Sequence, residues 1–369
     1  MRLGVAAALV EGTLVAGDVL VESGRVRAVG LGGADGRGTA VPGFVDWQVN
    51  GFGGVHFATA EPSDYRRAGE ALARAGIVWA APTLLGLDEE GYRAALGVLG
   101  EVRRDDPRCG FTGAHLEGPF LSERWRGAHD PRRLSDGDPA LAAALVGTHQ
   151  VAMATVAPER PGVQELIPTL VRSGVLVSLG HTDASAEQCR RARSLGARAL
   201  THCWNAHRRF APRDPGPAGW ALASPQVTLG LIADGVHVAP ETLALTMSAA
   251  RGRVALTTDA IAPAGTDLTE WRAPGVGAGD AATVTVLDGA ARLADGTLAG
   301  SVATPTSMLR VMDAAGVGFG AAIEALSAPQ AWALGLGEWH VRPGDPANVV
   351  VLDDDHCVLQ SWREGERVF

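Results

Sequence analysis

Between residues 43 and 259 the chain repeats one pattern eight times: a short apolar, β-rich segment followed by a helical stretch or a turn-rich connection. The β-rich segments fall at 43–48 (GFVDWQ), 77–83 (IVWAAPT), 111–117 (FTGAHLE), 151–156 (VAMATV), 175–181 (VLVSLGH), 198–203 (RALTHC), 228–234 (TLGLIAD) and 253–259 (RVALTTD). The helices between them carry their own punctuation. Ser63 is expected as the N-cap of DYRRAGEALARA, which Gly76 closes, and Ser185 with Gln188 forms a capping box ahead of CRRARSL and Gly196. Eight strand–helix units in about 300 residues fit a closed barrel better than an open sheet. The expected fold class is therefore α/β, a (β/α)₈ TIM-type barrel over residues 42–339. The flanking segments, 1–41 and 340–369, read as short strands and turns, with alternation in GTLVAGDVLVESGRVRAVG and NVVVLDDDHCVLQSWREGERVF. Each is too short to fold separately, so the two are expected to join into one small β-sandwich domain built from both ends.

In such barrels the chemistry sits at the C-terminal ends of the strands, so a polar residue closing an apolar strand is informative. Glu117, His181, His202 and Asp259 close the third, fifth, sixth and eighth segments, and Asp234 closes the seventh. Each alone has an ordinary explanation, as a satisfied structural histidine or as an aspartate capping the next helix. Two histidines and two carboxylates converging on one barrel mouth do not, because unpaired buried charge is costly. Glu117, His181 and His202 make a three-ligand set suited to one divalent ion with an open position for water. Zinc is the first choice, and iron, manganese or cobalt could use the same nitrogen and oxygen ligands. Such an ion needs a neighbouring base, and Asp259 is the candidate. The first segment carries Gln48 and Asn50 where many two-metal barrel hydrolases have histidines. A single metal per chain is expected.

Composition removes whole classes of function. With 46% hydrophobic and 20% charged residues the chain is a folded globular protein. All 32 basic residues are arginines, which eliminates Schiff-base, Walker-type and carboxylated-lysine chemistry. A net charge of −9 without a basic block argues against nucleic acid or an anionic membrane as partner, and requires any anionic substrate to find a local cationic pocket. No apolar run is long enough to span a bilayer and no signal-peptide cleavage site appears, so a cytoplasmic location is expected. The four cysteines, Cys109, Cys189, Cys203 and Cys357, show neither zinc-knuckle nor disulfide spacing and read as packing residues.

In series, PGFVDWQVNGFGG (42–54), HLEGPF (115–120), GAHDP (127–131), SLGHTDA (178–184), THCWNA (201–206), IADGVHV (232–238), TTDAIAPAG (257–265) and LAGS (298–301) resemble the N-acetylglucosamine-6-phosphate deacetylases of the amidohydrolase superfamily. The resemblance spans nearly the whole chain. It implies hydrolysis of the acetamide of N-acetyl-D-glucosamine 6-phosphate to D-glucosamine 6-phosphate and acetate, with the galactosamine epimer or another N-acyl amino-sugar phosphate as the alternative. It also implies that Glu117, His181 and His202 are the metal ligands, that Asp259 is the catalytic acid and base, and that His129 lies against the reacting amide. Substrate contacts are implied for Ala128, His129, Asn205, Ala206, Asp234, Gly235, Val236, His237, Leu298, Ala299 and Gly300. Arg213 in the RDPG segment matches an arginine that reaches the substrate phosphate from the neighbouring subunit, which implies a homodimer. A departure follows Ala206, where His207-Arg208-Arg209 replaces the family's usual continuation. His207 could be an extra ligand, an added phosphate contact or a larger neighbour, the last being favoured.

Overall fold

The computed structural model describes residues 1–32, 36–277 and 281–369. Eight parallel strands form the central sheet: Phe44–Val49, Ile77–Leu84, Ala114–Glu117, Val151–Val156, Leu176–Leu179, Ala199–Leu200, Thr228–Leu231 and Val254–Leu256. Each pairs with the next in chain order. The first and last strands close the barrel beyond their ladders, through Asp259 N–H to the Gln48 carbonyl at 3.0 Å and Asn50 N–H to the Ala260 carbonyl at 2.8 Å. Buried Asp46 locks that seam. Its carboxylate accepts from Thr258 N at 3.0 Å, Thr258 Oγ1 at 2.6 Å, Gln48 N at 3.1 Å and the Thr257 hydroxyl. Burial pushes its carboxyl upward, and those four donors oppose the shift.

The fifth to eighth strands stop at Leu179, Leu200, Leu231 and Leu256, short of the ends expected from the apolar runs. The cause is local backbone geometry. His181, His202 and Asp259 adopt φ of 47°, 29° and 50°, and Gly235 follows Asp234 at 78°, a left-handed conformation that cannot continue a strand. The candidate histidines and the aspartate therefore sit on the turns just past the strands. Only Glu117 is a true strand-terminal residue.

Helix Pro62–Arg74 begins at Glu61, whose side chain caps the first turn reciprocally with Asp64, so Ser63 is not the N-cap. Pro62 occupies the first helical position, where its missing N–H costs nothing, and this moves the start upstream. Tyr65, Ala68 and Leu72 then share the buried face at helical spacing. Ser185 and Gln188 do form the expected capping box on helix Ala186–Ser194.

Both chain ends build a second β unit. A six-stranded sheet runs in the order Thr13–Ala16, Ala7–Val10, Thr39–Pro42, Val349–Leu352, Val358–Arg363 and Glu366–Arg367. Together with the hairpin Asp18–Glu22/Arg25–Leu31 it encloses a core that includes Leu3, Val5, Val21, Val26, Val349, Val351 and Trp362. A third sheet, unanticipated from the sequence, comprises Glu270–Pro274, Ala281–Leu287, Ala290–Arg292 and Leu298–Ser301. It is inserted after the eighth strand and packs Ala273, Val284, Ala291 and Ala299 against Leu85 and Ile261 at the barrel mouth. Alternation and an Asp288-Gly289 turn with φ of 50° and 77° were the available signals for its central hairpin. Among the described residues no helix is long and apolar enough to cross a membrane.

Candidate active site

Glu117, His181 and His202 meet at the barrel mouth. Glu117 Oε1 lies 3.2 Å from His181 Nε2 and 3.1 Å from His202 Nε2, and the two nitrogens are 3.0 Å apart. Ligands held at 2.0–2.1 Å from a tetrahedral cation are separated by roughly 3.3 Å, close to the edges of this triangle. The donor set points the same way. His181 Nδ1 donates to the Trp125 carbonyl at 2.8 Å, so its Nε2 carries a lone pair and faces a carboxylate oxygen and a second imidazole nitrogen. Three electron-rich atoms in that arrangement call for a cation between them, and the residues present fit a divalent metal. His129 stands at a fourth corner, with Nε2 3.7 Å from Glu117 Oε2, so Glu117, His129 and His181 also form a compact potential ligand group. The tighter triangle is the one containing His202.

The amides of Gln48 on the first strand and Asn50 just past it explain what replaces the absent histidines. Gln48 Nε2 donates to Glu117 Oε1 at 2.8 Å, and Asn50 Nδ2 donates to Asp259 Oδ1 at 2.7 Å. Burial first, and then the neighbouring Glu117 charge, push the Asp259 carboxyl up to about 8 in the metal-free chain. Burial also lowers His129 to about 3, which leaves a neutral imidazole able to donate an N–H. Left-handed backbone at His181, His202 and Asp259 is of the kind stored at sites where neighbouring structure dictates geometry.

These groups open into a cavity of about 470 Å³. Ala128, His129, Asn205, Ala206, His237, Leu298, Ala299 and Gly300 all line it, together with Glu117, His181, His202 and Asp259. Asp234, Gly235 and Val236 do not. Asp234 instead holds the wall residue His237, accepting from its Nδ1 at 2.6 Å and from the backbone N–H groups of Val236 and His237 at 2.9 and 2.8 Å. Arg213 is exposed on a turn closed by mutual hydrogen bonds of Ala211 and Asp214, and does not line the cavity of its own chain. His207 is buried, donates from Nε2 to the Thr201 carbonyl at 3.0 Å and packs 5.8 Å from the His202 ring, as a larger neighbour would. Cys203 is fully buried and its thiol is pushed up by burial.

Sequence reasoning missed several wall residues: His56, Arg124, Trp125, Arg209, Trp271 and Arg292. His56 ends a hairpin turned by Gly53-Gly54, and Trp271 and Arg292 belong to the inserted sheet. The Gly-Gly turn was a readable hairpin signal, whereas Arg124 and Arg209 carry no periodic signature.

No protein-family model matches the chain. It is 34% identical over 347 residues to N-acetylglucosamine-6-phosphate deacetylase of Danio rerio, a match covering 89% of this chain and 84% of the relative. It is 32% identical over 333 residues to N-acetylgalactosamine-6-phosphate deacetylase of Escherichia coli O157:H7, covering 88% and 86%. Among solved structures, a mutant N-acetyl-D-glucosamine-6-phosphate deacetylase of Mycobacterium smegmatis in complex with N-acetyl-D-glucosamine-6-phosphate superposes with a TM-score of 0.90 at 33% identity, over 100% of this chain and 99% of that one.

Proposed function

Because the chain belongs to the N-acetylglucosamine-6-phosphate deacetylase family of the amidohydrolase superfamily, we propose that it hydrolyses the acetamide of N-acetyl-D-glucosamine 6-phosphate to D-glucosamine 6-phosphate and acetate. The observation that carries this reading is the joint placement of the Glu117/His181/His202 triangle and Asp259 at one cavity, on a chain with this ancestry. The galactosamine epimer is the second reading, favoured by relatives of that name at comparable identity.

A divalent cation held by Glu117, His181 and His202 would polarise the amide carbonyl and acidify the attacking water, and zinc suits the donor set, with iron, manganese and cobalt as alternatives. Gln48 and Asn50 fill the place of a second ligand pair, which supports one ion per chain. Asn50 fixes Asp259 Oδ1 and leaves Oδ2 to take the proton of the attacking water. As the carbon–nitrogen bond breaks, Asp259 passes that proton to the departing amine. Neutral His129 donates its N–H to the carbonyl oxygen as negative charge develops there. His237, oriented by Asp234, and Arg213 of a neighbouring copy would grip the phosphate and so orient the acetamide. Four free thiols support a reducing, cytoplasmic setting.

Steady-state kinetics on the 6-phosphates and free forms of both N-acetylhexosamines, with metal analysis of the same protein, test the reading. Acetate release faster from a free sugar or from an unrelated amide than from either phosphate would refute it.

A further inference from the structure

Three arginines line the catalytic cavity, and they differ in what holds them. Arg124 is paired with Asp183 at 3.1 Å, and Arg292 donates to the Gly296 carbonyl at 2.8 Å. Arg209 makes neither a hydrogen bond nor an ion pair to any described residue. Its guanidinium lies instead 5.8 Å from the centre of the Trp125 ring, a cation–π distance. That ring is anchored. Trp125 Nε1 donates to Asp183 Oδ1 at 2.7 Å, and its carbonyl accepts from the metal-site His181 at 2.8 Å. The backbone leading to Arg209 is anchored as well, since the Arg208 N–H donates to the Thr182 carbonyl at 2.9 Å. The result is an exposed cation, unpaired with any described residue, resting on Trp125 at the wall of a cavity in a chain whose net charge is −9.

An arginine so placed offers its full fork of donors without first breaking an internal ion pair, which is the state that recognition of a phosphate dianion rewards. It follows Asn205 and Ala206 of the same wall by only a few residues, and all three line one cavity. Arg213, by contrast, does not line its own chain's cavity. Resting on the substrate class given above, we propose that Arg209 is a phosphate-recognition residue supplied by the same chain that supplies Asp259, acting independently of Arg213.

The test compares wild type, Arg209→Ala and Arg209→Lys on N-acetylglucosamine 6-phosphate and on free N-acetylglucosamine, with inorganic phosphate as a competitive inhibitor. For Arg209→Ala, KM for the phosphorylated sugar should rise roughly 10- to 100-fold more than KM for the free sugar, the size of a lost charge-assisted hydrogen bond. The inhibition constant for phosphate should rise in parallel, and Arg209→Lys should recover part of both. Equal effects on the two sugars, or no effect on the phosphate inhibition constant, would overturn the assignment. So would recovery of the low KM on mixing Arg209→Ala with Asp259→Asn, because that requires Arg209 to act across subunits. If wild type itself shows no preference for the phosphorylated sugar, the substrate class falls and this assignment falls with it. Wild-type preference with an unaffected Arg209→Ala overturns this assignment alone.

Discussion

Replacing Asp259 by asparagine should abolish turnover while leaving metal and fold in place, and the hydrogen bond from Asn50 dictates how. Asn50 Nδ2 donates to Asp259 Oδ1 at 2.7 Å, so an asparagine at 259 must turn its carbonyl oxygen towards Asn50 to accept that bond. Its NH₂ group then occupies the position of Oδ2, where the attacking water needs an acceptor. The variant thus presents a donor where a base is required, and it has no proton to return to the amine. General acid–base catalysis contributes ~10²–10⁴-fold for one such role. A residue performing both should cost at least ~10⁴-fold in kcat, or about 5 kcal/mol of barrier. The same substitution has a stability signature in metal-free protein. The folded carboxyl is pushed up to about 8, above its ordinary value of 3.8, so folded protein holds a proton that unfolded protein releases. The wild-type stability attached to that proton is present below about pH 4 and is lost as pH rises towards 8. Asparagine has no such proton, so the metal-free variant should match wild type near pH 4 and exceed it by a few kcal/mol near pH 8. Single-turnover acetate release, metal analysis and pH-dependent urea unfolding of stripped protein measure all three quantities. A kcat within tenfold of wild type, with the metal retained, would show that another group is the base.

Three further outcomes follow from the same geometry. Metal analysis and anomalous scattering on loaded protein should find one ion per chain, because Gln48 and Asn50 donate hydrogen bonds to Glu117 and Asp259 where a second ion would need ligands; two full sites about 3.5–4 Å apart would contradict this. Mixing Arg213→Ala with Asp259→Asn should restore activity through hybrid dimers, since one site then combines an intact Asp259 with an intact neighbouring Arg213. Inactivity despite hybrids seen by native mass spectrometry would remove the shared site. Asp46→Ala should destabilise the fold by about 3 kcal/mol or more, read as a drop in denaturation midpoint, because it strands the buried donors Thr258 N, Thr258 Oγ1 and Gln48 N at the barrel seam. A shift below 1 kcal/mol would mean that water replaces the carboxylate there.

The sequence by itself determined the parts of this protein that depend on local pattern. Eight apolar segments separated by helices and turns dictate a parallel barrel, since buried parallel strands need apolar faces on both sides and a crossover between each pair. Polar residues beside those segments, Glu117, His181, His202 and Asp259, could be picked out for the same reason, as charge without a partner does not persist at the end of a buried strand. Tertiary structure decided what distance in the chain conceals. The three side chains that follow the strands owe their direction to left-handed turns that no periodicity announces. Asp234 and His237 are equal candidates in the motif, but only folding puts His237 on the cavity wall and Asp234 behind it. Arg209 and Arg213 are alike as letters in a polar loop and both are exposed, but only folding sets Arg209 beside Trp125 on the cavity wall. A charged side chain has several rotamers and keeps its head in water wherever its stem packs, so its direction is set by neighbours brought from elsewhere in the chain.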